Sequence, residues 1–166
     1  MSLRRTLAAQ IATVCGIGRA PAAPGTFGTL AAIPLAWGLH YLGGITLMVI
    51  ATAALFVAGY WASFEYLAGR REDPSEIVID EVVGMLIALW PLSAGLTMRG
   101  TDPAIFPWQG WIAAFFLFRF FDIVKPPPVN WADRPGPFGV MLDDVVAGVL
   151  AGGLMLLAAG VAHGWF

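Results

Sequence analysis

Two adjacent pairs of carboxylates, Asp80 with Glu81 and Asp143 with Asp144, each stand at the head of a long uncharged stretch of chain. Neighbouring acids repel one another, and such a pair needs a compensating cation or a proton. All-oxygen donor sets suit hard divalent cations. Mg²⁺ in particular takes one or two carboxylates and leaves positions for water and for substrate phosphate oxygens. Asp122 lies three residues after Arg119 and three before Lys125, a spacing that groups an acid with two cations along one broad side of a helix. Arg119 and Lys125 could clamp a phosphate with Asp122 holding them in place, although a belt of snorkelling cations at a membrane interface accounts for the same three residues. The segment 16–28 is rich in glycine, alanine and proline and carries Arg19, Gly25 and Thr26 into an apolar run. Free N–H groups at a helix start bind anions, while glycine and proline in that position also make ordinary turns. The chemistry these residues could perform together is metal-assisted phosphoryl transfer to water. Asp80, Glu81, Asp143 and Asp144 are the candidate metal ligands, and Asp122 joins them in the candidate catalytic set. Arg19, Gly25, Thr26, Arg119 and Lys125 are the candidate phosphate-binding groups. A plainer account has the acids complementing helix dipoles, worth roughly 0.3 to 1 kcal/mol each. It covers one acid per helix and explains adjacent pairs poorly.

The elements that must position these residues are written in the composition. Only 12% of residues are charged, about half the ~25% usual in soluble domains, and 58% are hydrophobic. A single domain spanning 1–166 would expose large apolar patches in water, so a bilayer is the expected solvent. Positions 20–64 contain no charged residue, a gap about twice the ~20 residues that cross a hydrocarbon core. Gly43 and Gly44 divide it into helices over 26–42 and 45–67, and Pro34 is expected to kink the first. A third helix is expected after Asp73, Pro74, Ser75 and Glu76, which read as N-cap, first-turn proline and capping-box carboxylate. A fourth runs from about 103 to Lys125, where three prolines stop it, and a fifth over 140–162 with Asp143 and Asp144 in its first turns. Leu3, Leu7, Ile11 and Val14 recur at helical spacing within 1–18, giving an N-terminal amphipathic helix that either lies on a membrane surface or packs on the bundle. The fold class is therefore all-α: a polytopic membrane bundle of about five embedded helices plus this N-terminal helix.

Threading the helices back and forth with the N-terminus inside puts Arg4, Arg5, Arg19, Arg70, Arg71, Arg119, Lys125 and Arg134 on one side and only Arg99 on the other. That bias identifies the first side as cytoplasmic. Every acid except Asp102 falls on the same side, where the proline-rich loop 126–139 joins two acidic helix ends. His40 and His163 map to the opposite face. Cys15 is the sole cysteine, which excludes an intramolecular disulfide and a multi-cysteine metal site. An aspartyl-phosphate route lacks a DxD pair, and a phosphohistidine route lacks a histidine near the arginines. Thr26 as a covalent nucleophile lacks an evident adjacent base. An ion-coupled transporter or channel could use the same carboxylates, but transporters place such groups near the midplane, often in repeated halves, and no internal repeat is visible.

The blocks APGTFGTLAAIPLAW, IVIDEVVGM, FRFFDIVKPPPV and GVMLDDVVAG, in that order, resemble those of the phosphatidylglycerophosphatase A family. The likeness spans about 16–153. It implies a bacterial inner-membrane enzyme that uses Mg²⁺ to remove the terminal phosphate of phosphatidylglycerophosphate, giving phosphatidylglycerol. It also implies a site facing the cytoplasm and no nucleic-acid partner. By position it assigns Asp80, Glu81, Asp143, Asp144, Arg119, Asp122 and Lys125 to the metal and phosphate site, with Gly25 and Thr26 beside them. Asp133 and Arg134 in the connecting loop resemble the family as well.

Overall fold

A computed structural model describes residues 3–68 and 74–162; Arg70, Arg71, Asp73 and His163 lie outside the described residues. All the regular elements described are helical: α1 (Leu3–Ala12), a single 3-10 turn (Ile17–Arg19), α2 (Pro24–Leu67), α3 (Ile79–Met98), α4 (Trp108–Val124), α5 (Val129–Ala132) and α6 (Pro137–Ala162).

The long α2 is two limbs. Its dihedrals leave the helical region at Gly43 and Gly44 and not at Pro34. Gly44 has φ +58°, which favours glycine, and a Cβ there would also meet the Thr97 side chain. The Ile45 N–H donates to Thr97 Oγ1 at 3.3 Å, and Thr97 in turn donates to the Ser93 carbonyl at 2.8 Å. The break is thereby fastened to the end of α3. The first limb starts beside Glu81 at Gly25, and the second returns to place Gly59 against Ile79.

The start of α3 differs from expectation. Residues 74–76 form a turn and the helix begins at Ile79, with Val78 in the capping position and no side-chain cap. Two contacts hold this segment in another way. The Glu76 carboxylate accepts from the Tyr66 hydroxyl, and the Val78 N–H donates to the Ala12 carbonyl at 2.9 Å, tying α1 to α3. Two other boundaries move. Helix α4 begins at Trp108 instead of 103, because Asp102 holds the preceding turn by accepting from the Ala104 N–H and Pro107 takes the N-cap. Helix α6 begins at Pro137 instead of 140, a first-turn proline, so Asp143 and Asp144 fall in its second turn.

Helix α3 is the centre of the bundle, buried without interruption from Val82 to Leu89 and packed by α2, α4 and α6. Met85, Leu86, Leu89, Phe118, Met141 and Met48 form its fully enclosed core. The outward faces carry Leu42, Ile50, Val57, Phe116, Leu157 and Val161, all more than half exposed, as expected of a bundle whose surroundings are lipid. Among the described residues three helices, α2, α3 and α6, are long and apolar enough to cross a membrane. On α1 the packed face is Ala8, Ala9 and Ala12, while Leu3 and Leu7 point outward.

Candidate functional site

The late start of α3 puts Asp80 and Glu81 in its first turn, beside α6. What lets an α6 carboxylate reach them is a close crossing four residues further along each helix. A Cβ on Gly84 would strike the Phe118 ring and the Asp144 carbonyl, and one on Gly148 would strike the Gly84 carbonyl. Small residues permit this backbone approach, which packs helices together where no water drives them. Asp80 to Gly84 and Asp144 to Gly148 are each one helical turn, so the crossing and the acids share one face.

One carboxylate oxygen from each of Asp80, Glu81 and Asp144 lies within 4.8 Å of the other two. Asp80 and Asp144 are buried and Glu81 is half-buried. Glu81 Oε2 and Asp144 Oδ2 are enclosed and have no hydrogen-bond partner among the described residues. Three carboxylates this close oppose one another, and orphaned buried oxygens are costly. An all-oxygen set of this kind fits a hard divalent cation such as Mg²⁺. Asp122, from the end of α4, adjoins Glu81 and lies against Asp144.

The cations are divided between two places. Arg119 pairs with Asp122 at 2.5 Å, as the i, i+3 spacing predicts. Lys125 instead turns away from the helix line, because it ends α4 with φ +46°. Its ammonium donates to Asp133 Oδ2 in the proline-rich loop and to Asp143 Oδ2 on α6, both at 2.8 Å. Partial burial pulls this amine down, but the hydrogen bonds and charges of Asp133 and Asp143 outweigh it and hold Lys125 above the ordinary lysine value. Asp143 is thus engaged by Lys125 and stands outside the three-carboxylate group, although its Oδ1 is also buried without a partner.

The first turn of α2 closes the site. A Cβ on Gly25 would collide with Glu81 Oε1 and lie 3.3 Å from Arg119 Nη1, so only glycine allows α2 to begin there. Its anion-binding capacity is narrower than a free helix start would offer. Pro24 has no N–H, and the Thr26 and Phe27 amides turn back to the Ala23 carbonyl at 2.9 and 3.4 Å. Thr26 follows Gly25 in the same turn, half-buried. Arg19 stands exposed on the 3-10 turn and makes none of the ion pairs found among the described residues. Arg134 is exposed and donates to the Trp131 carbonyl at 3.1 Å. His40 lies at the other end of the bundle, bonded through Nδ1 to Ser93 Oγ at 2.8 Å.

The structure therefore brings together Asp80, Glu81, Asp144, Asp122, Arg119 and Gly25, sets Asp143 and Lys125 beside them as a separate pair, and leaves Arg19 apart. Sequence reasoning passed over Gly84 and Gly148. The signal was present as a glycine four residues after Asp80 and again four after Asp144.

A family model described as phosphatidylglycerophosphatase A matches residues 10–159. A putative phosphatidylinositol-3-phosphatase of Bacteroides thetaiotaomicron is 43% identical over 84% of this chain and 85% of its own. The phosphatidylglycerophosphatase A of Haemophilus influenzae is 38% identical over 82% of this chain and 78% of its own, and that of Escherichia coli 33% over 90% and 80%. No solved structure matches. With a family model covering nearly all of the bundle and relatives aligned along most of their length, the chain belongs to the phosphatidylglycerophosphatase A family.

Proposed function

We propose that this protein hydrolyses the terminal phosphomonoester of phosphatidylglycerophosphate, with Mg²⁺ held by Asp80, Glu81 and Asp144. The observation that carries the reading is the buried three-carboxylate cluster with unpartnered oxygens, bordered by Arg119, at one end of an apolar bundle of this family. Its position in the first two turns of α3 and α6 favours a site reached by a lipid headgroup over an ion path, which would centre on the midplane. The limbs of α2 with α3, α4 and α6 make five embedded segments in this reading. The excess of basic residues at the acidic end makes that end cytoplasmic. Helix α4, with 17 residues, spans about 25 Å and draws on flanking residues to complete the ~30 Å core.

Bound among the carboxylates, Mg²⁺ supplies charge neutralisation at the phosphate oxygens and lowers the pKa of water. The chain's own groups do the rest. Arg119, fixed by Asp122, stands beside Gly25 and Glu81, and its remaining guanidinium N–H groups bind the phosphate oxygens. Absence of a side chain at Gly25 leaves room for the Glu81 carboxylate beside Arg119. Lys125 joins Asp133 to Asp143, anchoring the proline-rich loop over the start of α6 and adding positive charge beside the phosphate. A carboxylate of the set takes the proton of the attacking water as its oxygen bonds to phosphorus, the bond from phosphorus to the glycerol oxygen breaks, and the departing oxygen gains a proton from that carboxylic acid or from solvent to leave as the alcohol.

The test is phosphate release by purified protein in vesicles containing phosphatidylglycerophosphate, with Mg²⁺ and then with chelator. We expect release that chelator stops. No release by folded protein would sink the enzymatic reading, and release that persists in chelator would sink the metal. The name of the Bacteroides relative supports a second substrate reading, so phosphatidylinositol 3-phosphate belongs in the same assay. Faster release from it would move the assignment to that lipid.

A further inference from the structure

Helices α3 and α6 meet backbone to backbone near the carboxylates and open toward the other end of the bundle. A Cβ on Gly148 would stand 2.3 Å from the Gly84 carbonyl, whereas one on Gly152, a turn further along α6, would lie 3.3 Å from the Ile87 carbonyl and 3.5 Å from the Pro91 ring. At Gly95, a turn beyond Pro91 on α3, a Cβ would meet nothing within 4 Å. Helices that cross at an angle part from each other away from the contact. The wedge left between them holds a cavity of about 540 Å³, lined by Pro91, Leu92 and Gly95 of α3 and by Met155, Leu156 and Ala159 of α6. One charged side chain borders it. Arg99, directly after the last residue of α3, is exposed and makes none of the ion pairs found among the described residues.

Water needs polar partners that these walls do not offer, and an empty wedge would forfeit the dispersion contacts of its lining. In a bilayer the filler at hand is an acyl chain. The cation at the mouth says which lipid that chain belongs to. From Arg99 to Pro91 is about 12 Å at the α-helical rise. Half a hydrocarbon core is about 15 Å, so a lipid whose phosphate meets Arg99 lays its tail beside Gly95 and Pro91. We propose that the α3/α6 wedge binds one anionic phospholipid of the leaflet opposite the carboxylates, with its phosphate on Arg99 and one acyl chain between the two helices. The proposal rests on the bundle being embedded as described above and not on the hydrolysis reaction. Lipid tails are already as apolar as the wedge, so filling it gains little affinity by itself. Selection comes from the guanidinium, which pairs with a phosphate through charge-assisted hydrogen bonds. In a zwitterionic lipid the headgroup's own cation already offsets that phosphate.

Native mass spectrometry of the purified protein in detergent, titrated with dioleoyl phosphatidylserine or dioleoyl phosphatidylcholine, tests this. Neither lipid is substrate or product of the proposed reaction. We expect the wild type to bind one phosphatidylserine with a Kd about fivefold below that for phosphatidylcholine. Arg99→Gln, a change at an exposed side chain, should bring the two values together with phosphatidylcholine binding unchanged. Gly95→Phe enters the open space of the wedge and should weaken both lipids about tenfold, and Met155→Trp should do the same from α6. Thermal melts followed by circular dichroism show which variants are folded, and Arg99→Gln carries the test by itself. Equal wild-type affinity for the two lipids would overturn the proposal, leaving Arg99 to complement the end of α3 and the bound molecules as adventitious lipid only. A preference that persists in Arg99→Gln would overturn it too, since the selection would then arise elsewhere on the bundle. So would lipid binding that folded Gly95→Phe and Met155→Trp leave unchanged, which would give the wedge to residues 163–166 or, where a doubled mass appears, to a second copy of the chain. Phosphate release, measured separately, has no bearing on these outcomes.

Discussion

Asp80, Glu81 and Asp144 work against the fold that holds them for as long as nothing positive stands among them. Neutralising one should relieve that opposition and remove the reason for the cluster. For Asp144→Asn we expect a Tm in chelator equal to or above that of the wild type, with no rise on adding Mg²⁺. Wild-type protein should gain about 2.7 kcal/mol with the ion at a hundred times its Kd. Phosphate release should fall by about a hundredfold or more. A lowered Tm together with an undiminished response to Mg²⁺ would make Asp144 a structural residue instead. That Asp80, Glu81 and Asp144 deserve notice was legible in the sequence, because two carboxylates side by side in an apolar chain repel each other and call for a cation or a proton. Their division was not. Asp143 and Asp144 are one residue apart, which on a helix turns them to different sides, and the partner of Asp143 depends on how Lys125 leaves α4. A left-handed lysine at a helix end carries no mark in its residue type.

At the scale of elements, the uncharged run over 20–64 and its two glycines were enough to read a helical hairpin, because only a break at that place makes two spans of the gap. The beginning of α3 was misread because its capping residues are good ones. What displaced the helix start was tertiary, the Tyr66 bond to Glu76 and the Ala12 bond to Val78, and neither is local in sequence. The crossing of α3 and α6 at Gly84 and Gly148 matters most for function, since it sets how far Asp144 stands from Asp80. Gly148→Ala puts a methyl group against the Gly84 backbone, and we expect it to cost about 1 to 3 kcal/mol of stability and to reduce Mg²⁺-dependent phosphate release. Gly153, on the same helix, has open space where its Cβ would be. Gly153→Ala should leave activity intact and be neutral or stabilising by up to about 1 kcal/mol. Equal effects of the two substitutions in activity and denaturation measurements would remove the crossing from the account.

For the molecule as a whole, the proposed arrangement in the bilayer rests on where the charges collect, and one native side chain can report it. Cys15 is exposed at the end of α1, and the Val78 bond to Ala12 holds that region at the acidic end of the bundle. In right-side-out membrane vesicles a membrane-impermeant maleimide should leave Cys15 unmodified until the vesicles are opened. In a Cys15→Ser background, Arg99→Cys should react at once. The opposite pattern would invert the bundle. That the chain is a bundle of apolar helices was readable from composition, because charged residues are costly within the hydrocarbon and so mark the ends of apolar runs. That the acids sit at the end of the helices has one further outcome. Hydrolysis there divides its products between two solvents: the trimmed lipid stays in the leaflet it came from, and the inorganic phosphate escapes into water. Neither product needs to retrace the path of the other. Build-up of phosphate in the aqueous compartment then competes for the site independently of how much product lipid the membrane has accumulated.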